Sequence, residues 1–482
     1  MAETKVDCSP KRARFFCTAG RGLERFVTEE VTRKASAVDV ESMSGKVFFT
    51  AEPDMYRLRQ IKSGERLFLL LRKEPPLSLP KGKGNALSML RETMVGESKV
   101  WISALDLWQN LQEPVRHMND VQNDQIKASK RKLENDSALY TSKLCKKEHG
   151  AGEVCILDEH TSDTFLTQSE NQCFFNDEQT NNIPPKTLFS AKSMFTFRVS
   201  CRCTGAIAKL FTAQELGRVI GKALVRQFGW KPDLRKPILE VFVHLNDLYS
   251  VVGFPIMRQP LANRAYIQST GLRSTTAWAM VTLAEISAKT VVLDPMCGVG
   301  TILLEAAKEW PHVHFLGMDI NASQLKNAVD NVKAAGVEGS VEFLKGSVLD
   351  LPILSESIDV VISDIPFGKK FASSKNMKEL LPEILCEMER VVRIGGIIVL
   401  LLSQSLHHHL KAHFQFKDVK NGSTARTEND LLQKDKNEMA SNKKDIVMKT
   451  DYFESLVPIE AHPVSLGVTE AIIFKCKKLS NP

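Results

Sequence analysis

The chain is 482 residues long, 43% hydrophobic and 25% charged, enough for two or three domains with a sizeable core. Ten cysteines without a Cys-x-x-Cys pair exclude a disulfide scaffold and suit a reduced, intracellular protein, nuclear and/or cytoplasmic; the longest apolar run, 396–402, is too short to span a bilayer. Lys+Arg 64 against Asp+Glu 57 leaves a net +7, a modest basic excess that fits an RNA partner without demanding one.

Lys11-Arg12-Ala13-Arg14 reads as a short solvated basic run. Residues 14–19 then read as a strand, Gly20-Arg21-Gly22 as a turn and 23–34 as an amphipathic helix. Strand 46–50, short helix 55–61 and strand 66–71 follow, which suits a small α+β module. Residues 101–111 repeat apolar positions at helical spacing, with Trp101 and Trp108 as core residues. From about 114 to 190 the pattern fails, with a basic block and then an acidic one, and the expectation is a disordered insertion. Order returns in an alternating strand at 194–202, where Cys201 and Cys203 point the same way as packing residues rather than metal ligands. A long helix spans 213–228, a loop 229–233, and a strand pair 238–244 and 248–255. Arg198, Arg202, Lys209, Arg218, Lys222 and Lys231 are the candidate phosphate-binding cations, which set position rather than base identity.

Residues 255–268 form a connector, and a helix opens near 274, capped by Ser274 or Thr275. Beyond it, β and α elements alternate: strand 291–294, helix 301–309, strand 313–319, helix 322–335, strands 341–346 and 358–364, helix 377–392, strand 396–402. This rhythm predicts a parallel sheet covered by helices on both sides, with a ligand beyond the strands' carboxyl ends. His407-His408-His409 do not share a helix face and read as solvated surface, so no metal site is expected. Residues 417–449 form a second polar stretch, expected as a disordered loop, and 457–475 supply the closing strands.

Three stretches carry chemistry. Strand 291–294 ends in Asp294, followed by Cys297, a Gly298-x-Gly300 turn and Thr301 opening a helix, so a ligand can approach the backbone closely. About twenty residues on, a second strand ends in Asp319, a spacing that suits a carboxylate on a ribose diol. The third stretch ends a buried strand in Asp364-Ile365-Pro366-Phe367-Gly368. Asp294 would repel a dinucleotide's pyrophosphate but favours a cationic centre, and Leu303 replaces the third small residue of the dinucleotide fingerprint. S-adenosylmethionine therefore fits better than NAD.

Arg198-Val-Ser-Cys-Arg202, 228–233 (Phe-Gly-Trp-Lys-Pro-Asp), Gly271-Leu-Arg-Ser-Thr275, 294–301 and 364–370 together resemble the THUMP-domain RNA methyltransferases that modify the exocyclic amine of guanosine, and most of all their eukaryotic branch. The resemblance implies a Rossmann-like class I methyltransferase domain (α/β) at 256–482, preceded by a ferredoxin-like α+β module at 1–100 and a THUMP domain at 101–255 carrying the 114–190 insertion, with the second loop at about 417–450. It implies a structured RNA substrate, tRNA or a small nuclear RNA, and a small zinc-binding activator subunit forming a heterodimer, with no membrane. Two departures stand out. Gly346 is followed by Ser347, with Asp350 the nearest acid for the adenine amine, and the acceptor motif has Ile365 where the wider amine methyltransferases have proline.

The chemistry expected of such a site is hydrogen-bond acceptance by Asp364 and the Ile365 carbonyl from the two amine N–H groups, with Pro366 stiffening the turn and Phe367 offering a face to guanine. Ser274, Thr275, Asp294, Cys297, Gly298, Gly300, Thr301, Asp319, Ser347 and Asp350 would surround the methyl donor. The target base should be flipped or unpaired. The competing readings are a non-catalytic RNA-binding protein with a degenerate methyltransferase fold and an adenine amine methyltransferase.

Overall fold

A computed structural model describes residues 12–78, 80, 82–112, 195–366, 374–420, 453 and 455–480. The expected insertion at 114–190 lies outside these residues. So does the expected loop after 420, whose first four residues instead close a helix. The chain divides into two compact units, Met1–Phe15 with Pro53–Met55 and Phe68–Arg258, and Phe16–Glu52 with Tyr56–Leu67 and Gln259–Pro482.

The elements run β1 (Ala13–Thr18), α1 (Glu24–Ala35), β2 (Val38–Met43), β3 (Lys46–Ala51), α2 (Met55–Leu58), β4 (Arg66–Glu74), α3 (Lys83–Val95) and α4 (98–112). After the undescribed stretch come β5 (Thr196–Cys203), α5 (Ile207–Leu210), α6 (Ala213–Phe228), β6 (Lys231–Pro232), β7 (Leu239–Leu245) and β8 (Ser250–Pro255).

In the first unit the strands lie in the order β4-β8-β7-β5-β6, with β4-β8 and β8-β7 antiparallel and β7-β5 and β5-β6 parallel. The two-residue β6 occupies what the sequence reads as loop 229–233. Helix α6 follows the predicted bounds because its start is chemically defined. Thr212 Oγ1 accepts from the Glu215 amide at 3.2 Å, and Glu215 accepts from the Thr212 amide at 2.9 Å. Trp101 and Trp108 are core residues as expected. Trp101 packs within 5.7 to 6.2 Å of the Phe228, Trp230 and Phe254 rings, and Trp108 donates to the Pro255 carbonyl at 2.9 Å. Cys201 and Cys203 do face the same way, with Sγ atoms 3.9 Å apart.

The second unit carries β2-β3-β1 in sheet order, α1, and a seven-stranded sheet. That sheet is built from α7 (Ser274–Leu283), β9 (Val291–Asp294), α8 (Thr301–Ala307), β10 (His314–Asp319), α9 (Ala322–Ala335), β11 (Val341–Lys345), β12 (Ile358–Asp364), α10 (Ser374–Val391), β13 (Val392–Ser403), α11 (Gln404–Lys420), β14 (Leu456–Leu466) and β15 (Thr469–Lys478). Its order is β11-β10-β9-β12-β13-β15-β14. The first five strands are parallel as predicted, whereas β15 runs antiparallel to both of its neighbours. Residues alternate between two cores. Val360 and Ile362 of β12 with Ile397, Val399 and Leu401 of β13 face a core shared with α7, α8 and Phe26 of α1; Val361, Ile398, Leu400 and Leu402 face one shared with α10 and α11.

A buried polar clamp ties residues 259–273, the irregular stretch that overlaps the expected 255–268 connector, to the rest of this unit. Glu305, 0% exposed, accepts from Arg264 at 2.9 and 3.0 Å and from the Tyr266 hydroxyl at 2.9 Å. Removing Glu305 would leave the Arg264 guanidinium buried without its counter-charge. Glu305→Ala is expected to cost roughly 3 kcal/mol, read as a lower urea midpoint. An unchanged midpoint would show that the clamp is dispensable.

Candidate active site

Strand order reverses between β9 and β12, since the chain steps from β9 out to β10 and β11 and then returns to the other side of β9. Such a reversal opens a crevice beyond the strands' carboxyl ends. Asp294 and Asp364 end the two strands at that point, and Asp319 ends β10 next door. Register sets Asp319 and Asp364 each two residues beyond the level of Asp294, on the strands either side of it: Gly317 of β10 lies opposite Asp294, and Val361 of β12 opposite Leu293.

Asp294 is 1% exposed. Its Oδ1 accepts from Ser363 Oγ at 2.9 Å and from the Met296 amide at 3.2 Å. Burial pushes its pKa up to about 8, and Asp364 and Asp319 add to the rise by like-charge repulsion. Burial raises Asp364 to about 7. Burial likewise pushes the Cys297 thiol up, with Asp294 and Asp319 contributing, which disfavours the thiolate.

The glycine turn is fixed by backbone bonds. The Cys297 amide donates to the Met318 carbonyl at 2.8 Å, and the Gly298 amide donates to Asp319 Oδ2 at 2.9 Å. Gly298 and Gly300 sit at φ 53 and 79, left-handed values that a side chain would strain. A Cβ on Gly298 would meet nothing nearer than Gln324 Oε1 at 4.0 Å, so the turn faces open space. Thr301 Oγ1 is buried with no hydrogen-bond partner among the described residues. Asp319 also accepts from the Asn321 amide at 2.8 Å. The Gly346 amide bonds the Asp319 carbonyl at 3.2 Å, which brings half-buried Ser347 and exposed Asp350 to the same rim. The Ile365 amide donates to the Leu401 carbonyl at 3.1 Å, and Pro366 follows; Phe367 lies outside the described residues.

One expectation needs correction. Neither Ser274 nor Thr275 caps α7: both lie inside its first turn, and Arg273 takes the cap position without a side-chain bond. The reason is Glu65, which pairs with Arg273 and accepts from Thr275 Oγ1 at 2.9 Å. Arg198 is half-buried and paired with Glu240 at 3.1 Å, whereas Arg202, Lys209, Arg218, Lys222 and Lys231 are exposed in the first unit. Arg218 and Lys222 are one turn apart on α6.

Sequence reasoning missed Asn331. It is 0% exposed, and its amide is fully used: Oδ1 accepts from the Gln268 and Ser269 amides at 2.8 and 3.0 Å, and Nδ2 donates to the Ser269 and Val299 carbonyls, both at 3.0 Å. It fastens the connector to the glycine turn. Close packing agrees, because a Cβ on Gly271 would lie 2.6 Å from Val299 Cγ2 and 3.1 Å from Thr301 Oγ1. The available signal was an asparagine on the apolar stripe of α9, between Ala328 and Ala335.

The family of RMKL-like methyltransferase domains (UPF0020) matches residues 262–434, and the THUMP domain matches residues 177–249. The protein named U6 snRNA (guanine-N(2))-methyltransferase THUMPD2 from Bos taurus is 46% identical over 98% of this chain and 97% of its own length. The protein named tRNA (guanine(6)-N(2))-methyltransferase THUMP3 from Mus musculus is 27% identical over 82% of each chain. The crystal structure of TrmN from Thermus thermophilus has a TM-score of 0.60 at 17% identity, covering 97% of this chain and 100% of that one, a likeness of fold.

The raised Asp294 carboxyl links stability to pH. It ionises at about 3.8 unfolded but about 8 folded, so its contribution is complete at low pH and is lost as pH rises through that window. Asp294→Asn should lose less stability between pH 5 and pH 8 than the parent, by at least ~1 kcal/mol in paired urea titrations. Equal losses would place the Asp294 carboxyl outside the apolar environment described.

Proposed function

Because the chain belongs to the THUMP-domain-containing RNA guanine-N2 methyltransferase family, whose cofactor is S-adenosylmethionine, we propose that it methylates the exocyclic amine of a guanosine in U6 small nuclear RNA. The observation that carries this reading is the convergence of Asp294, Asp319 and Asp364 on one sheet edge at the strand-order reversal. The choice of RNA rests on the whole-length likeness to a relative named for U6, and a nuclear location follows from that substrate. A small zinc-binding activator subunit is included on the family resemblance alone.

The residues fit the cofactor. Asp294 has its pKa held up by burial and then by the charges of Asp364 and Asp319, so a cation beside it is favoured; the turn is open at Gly298, and Thr301, whose hydroxyl has no hydrogen-bond partner among the described residues, follows that turn. Asp294, Cys297, Gly298, Gly300 and Thr301 would hold the methionine part, Asp319 the ribose, and Ser347 or Asp350 the adenine side. Ser274 and Thr275 act from behind, through the connector that Glu65 holds. When bound, S-adenosylmethionine supplies an electrophilic methyl group on a sulfonium.

Guanine's amine is a poor nucleophile because its lone pair is delocalised into the ring. Asp364 and the Ile365 carbonyl accept hydrogen bonds from its two N–H groups and draw the nitrogen towards pyramidal geometry. The nitrogen gains positive charge as it reacts. Asp364 stabilises that charge and takes the proton, and the burial that lifts its pKa to about 7 makes it a stronger base than an exposed acid. Pro366 limits the motion of the acceptor turn. The base reaches this rim only when unpaired or flipped.

Asp364→Ala should lower kcat by roughly a thousandfold or more while calorimetric affinity for S-adenosylmethionine stays within about threefold. Turnover at the parent rate would refute the assignment. Since Asp364 must be ionised to accept the proton, kcat/KM for the parent should rise with pH through about 7, and a flat profile from pH 6 to 8 would contradict its role as base. Nucleoside mass analysis of treated U6 and tRNA transcripts identifies both product and substrate: N2-methylguanosine in U6 supports the reading, and N6-methyladenosine or labelling of tRNA alone overturns it.

A further inference from the structure

Past the acceptor strand the rim changes character. Asp364 pairs in register with Leu401 of β13, and three residues beyond Leu401 the chain turns into α11 at Gln404. There a hollow of about 530 Å³ is lined by Lys378 of α10 and by Gln404, Ser405, His408 and His409 of α11. Lys378, Gln404, Ser405 and His408 are exposed and His409 is half-buried. Leu406 and Leu410, on the opposite face of α11, are buried, so the helix is held with its polar side to the hollow.

Every lining side chain brings a hydrogen-bond donor: an ammonium, two imidazoles, a carboxamide and a hydroxyl. No carboxylate is among them. Along the carboxyl edge of the sheet the order is therefore Asp319, Asp294, Asp364, and then this donor-rich hollow. An acidic rim attracts cationic or N–H-bearing groups; the hollow one strand away attracts an anion. A nucleotide carries both, an amine-bearing base and a phosphate. With the base amine at Asp364, a phosphate of the same RNA strand can be met by the donor-rich hollow at the end of the neighbouring strand.

We propose that the hollow lined by Lys378, Gln404, Ser405, His408 and His409 binds a backbone phosphodiester of the RNA next to the guanosine being methylated. This rests on the functional reading above and adds a grip that sets which base can enter. Lys378 supplies the charge. The imidazoles donate whether neutral or protonated, and the Gln404 amide and Ser405 hydroxyl complete the set.

The test uses the full-length protein, a U6 transcript and the double variant Lys378→Ala with His408→Ala, beside Lys378→Arg. For the double variant, RNA affinity by filter binding is expected to fall about tenfold, and the plot of log affinity against log salt to become shallower by about one. KM for RNA should rise in step, while S-adenosylmethionine affinity by calorimetry is unchanged, which also reports on folding. Lys378→Arg should keep most of the parent affinity. Parent RNA affinity and salt slope in the double variant would overturn the proposal, as would a fall in kcat alone with the slope unchanged. Failure of the functional reading looks different: the parent would transfer no methyl group to any RNA, while the binding and salt measurements still decide whether the hollow holds a phosphate.

Discussion

Carboxylates that end adjacent parallel strands must share an edge, and they repel one another there. Crossover connections bring every carboxyl end of β10, β9 and β12 to the same side, so Asp319, Asp294 and Asp364 converge without any special loop. The cost is visible in Asp294, buried and driven up to about 8. Ser363 and the Met296 amide offset part of that cost by donating to it. Apolar residues at these tips would serve folding better. Keeping three acids there makes sense for a site that receives a positively charged ligand, since the ligand supplies the missing counter-charge.

A site of this kind needs its walls held from outside, because like charges push them apart. The 259–273 connector has no regular element of its own and draws its geometry from side chains on three others. Glu305 of α8 holds Arg264, Asn331 of α9 holds residues 268 and 269, and Glu65 at the mouth of β4 holds Arg273 and the first turn of α7. Each of these polar groups is paired, so the clamp avoids the penalty of unsatisfied buried groups. Lys34 and Lys62 strengthen the same neighbourhood. They lie 4.6 and 4.8 Å from the centre of the Trp278 ring and both pair with Glu309, whose carboxyl they draw down against the opposing effect of burial.

Much of this was legible in the residues. Strands β9 and β12 and helices α6 and α9 fall where the patterns put them, because apolar alternation and capping chemistry are local. What escaped notice was either weakly patterned or depended on distant partners. Strand β2 is mostly exposed and bears charges, with Asp39 at positive φ, so its two valines and Met43 did not stand out as a buried face. Helix α3 opens on Lys83 and Gly84 with no side-chain cap. Thr275 looked like a cap because caps are threonines, yet its partner Glu65 lies 210 positions away. Asn331 likewise acts through residues 32 and 62 to 63 positions away, beyond any local window.

Recognition of one base among four then follows from what this rim lacks. Contacts to phosphate of the kind proposed for Arg218 and Lys222 on α6, or for the hollow beside β13, would set position and carry no sequence information. Both guanine and adenine present an exocyclic amine, so the acceptance of two N–H bonds proposed for Asp364 and Ile365 would not separate them. Their ring neighbours do. Next to its amine guanine carries an N1–H donor, whereas adenine carries a bare N1 acceptor. In the proposed pose Asp364 takes the amine while Asp294 and Asp319 face the methyl donor, so reading the N1 position falls to a group beyond these three acids. A site built to hydrogen-bond one pattern rejects the other strongly, because the mismatched polar groups stay unpaired.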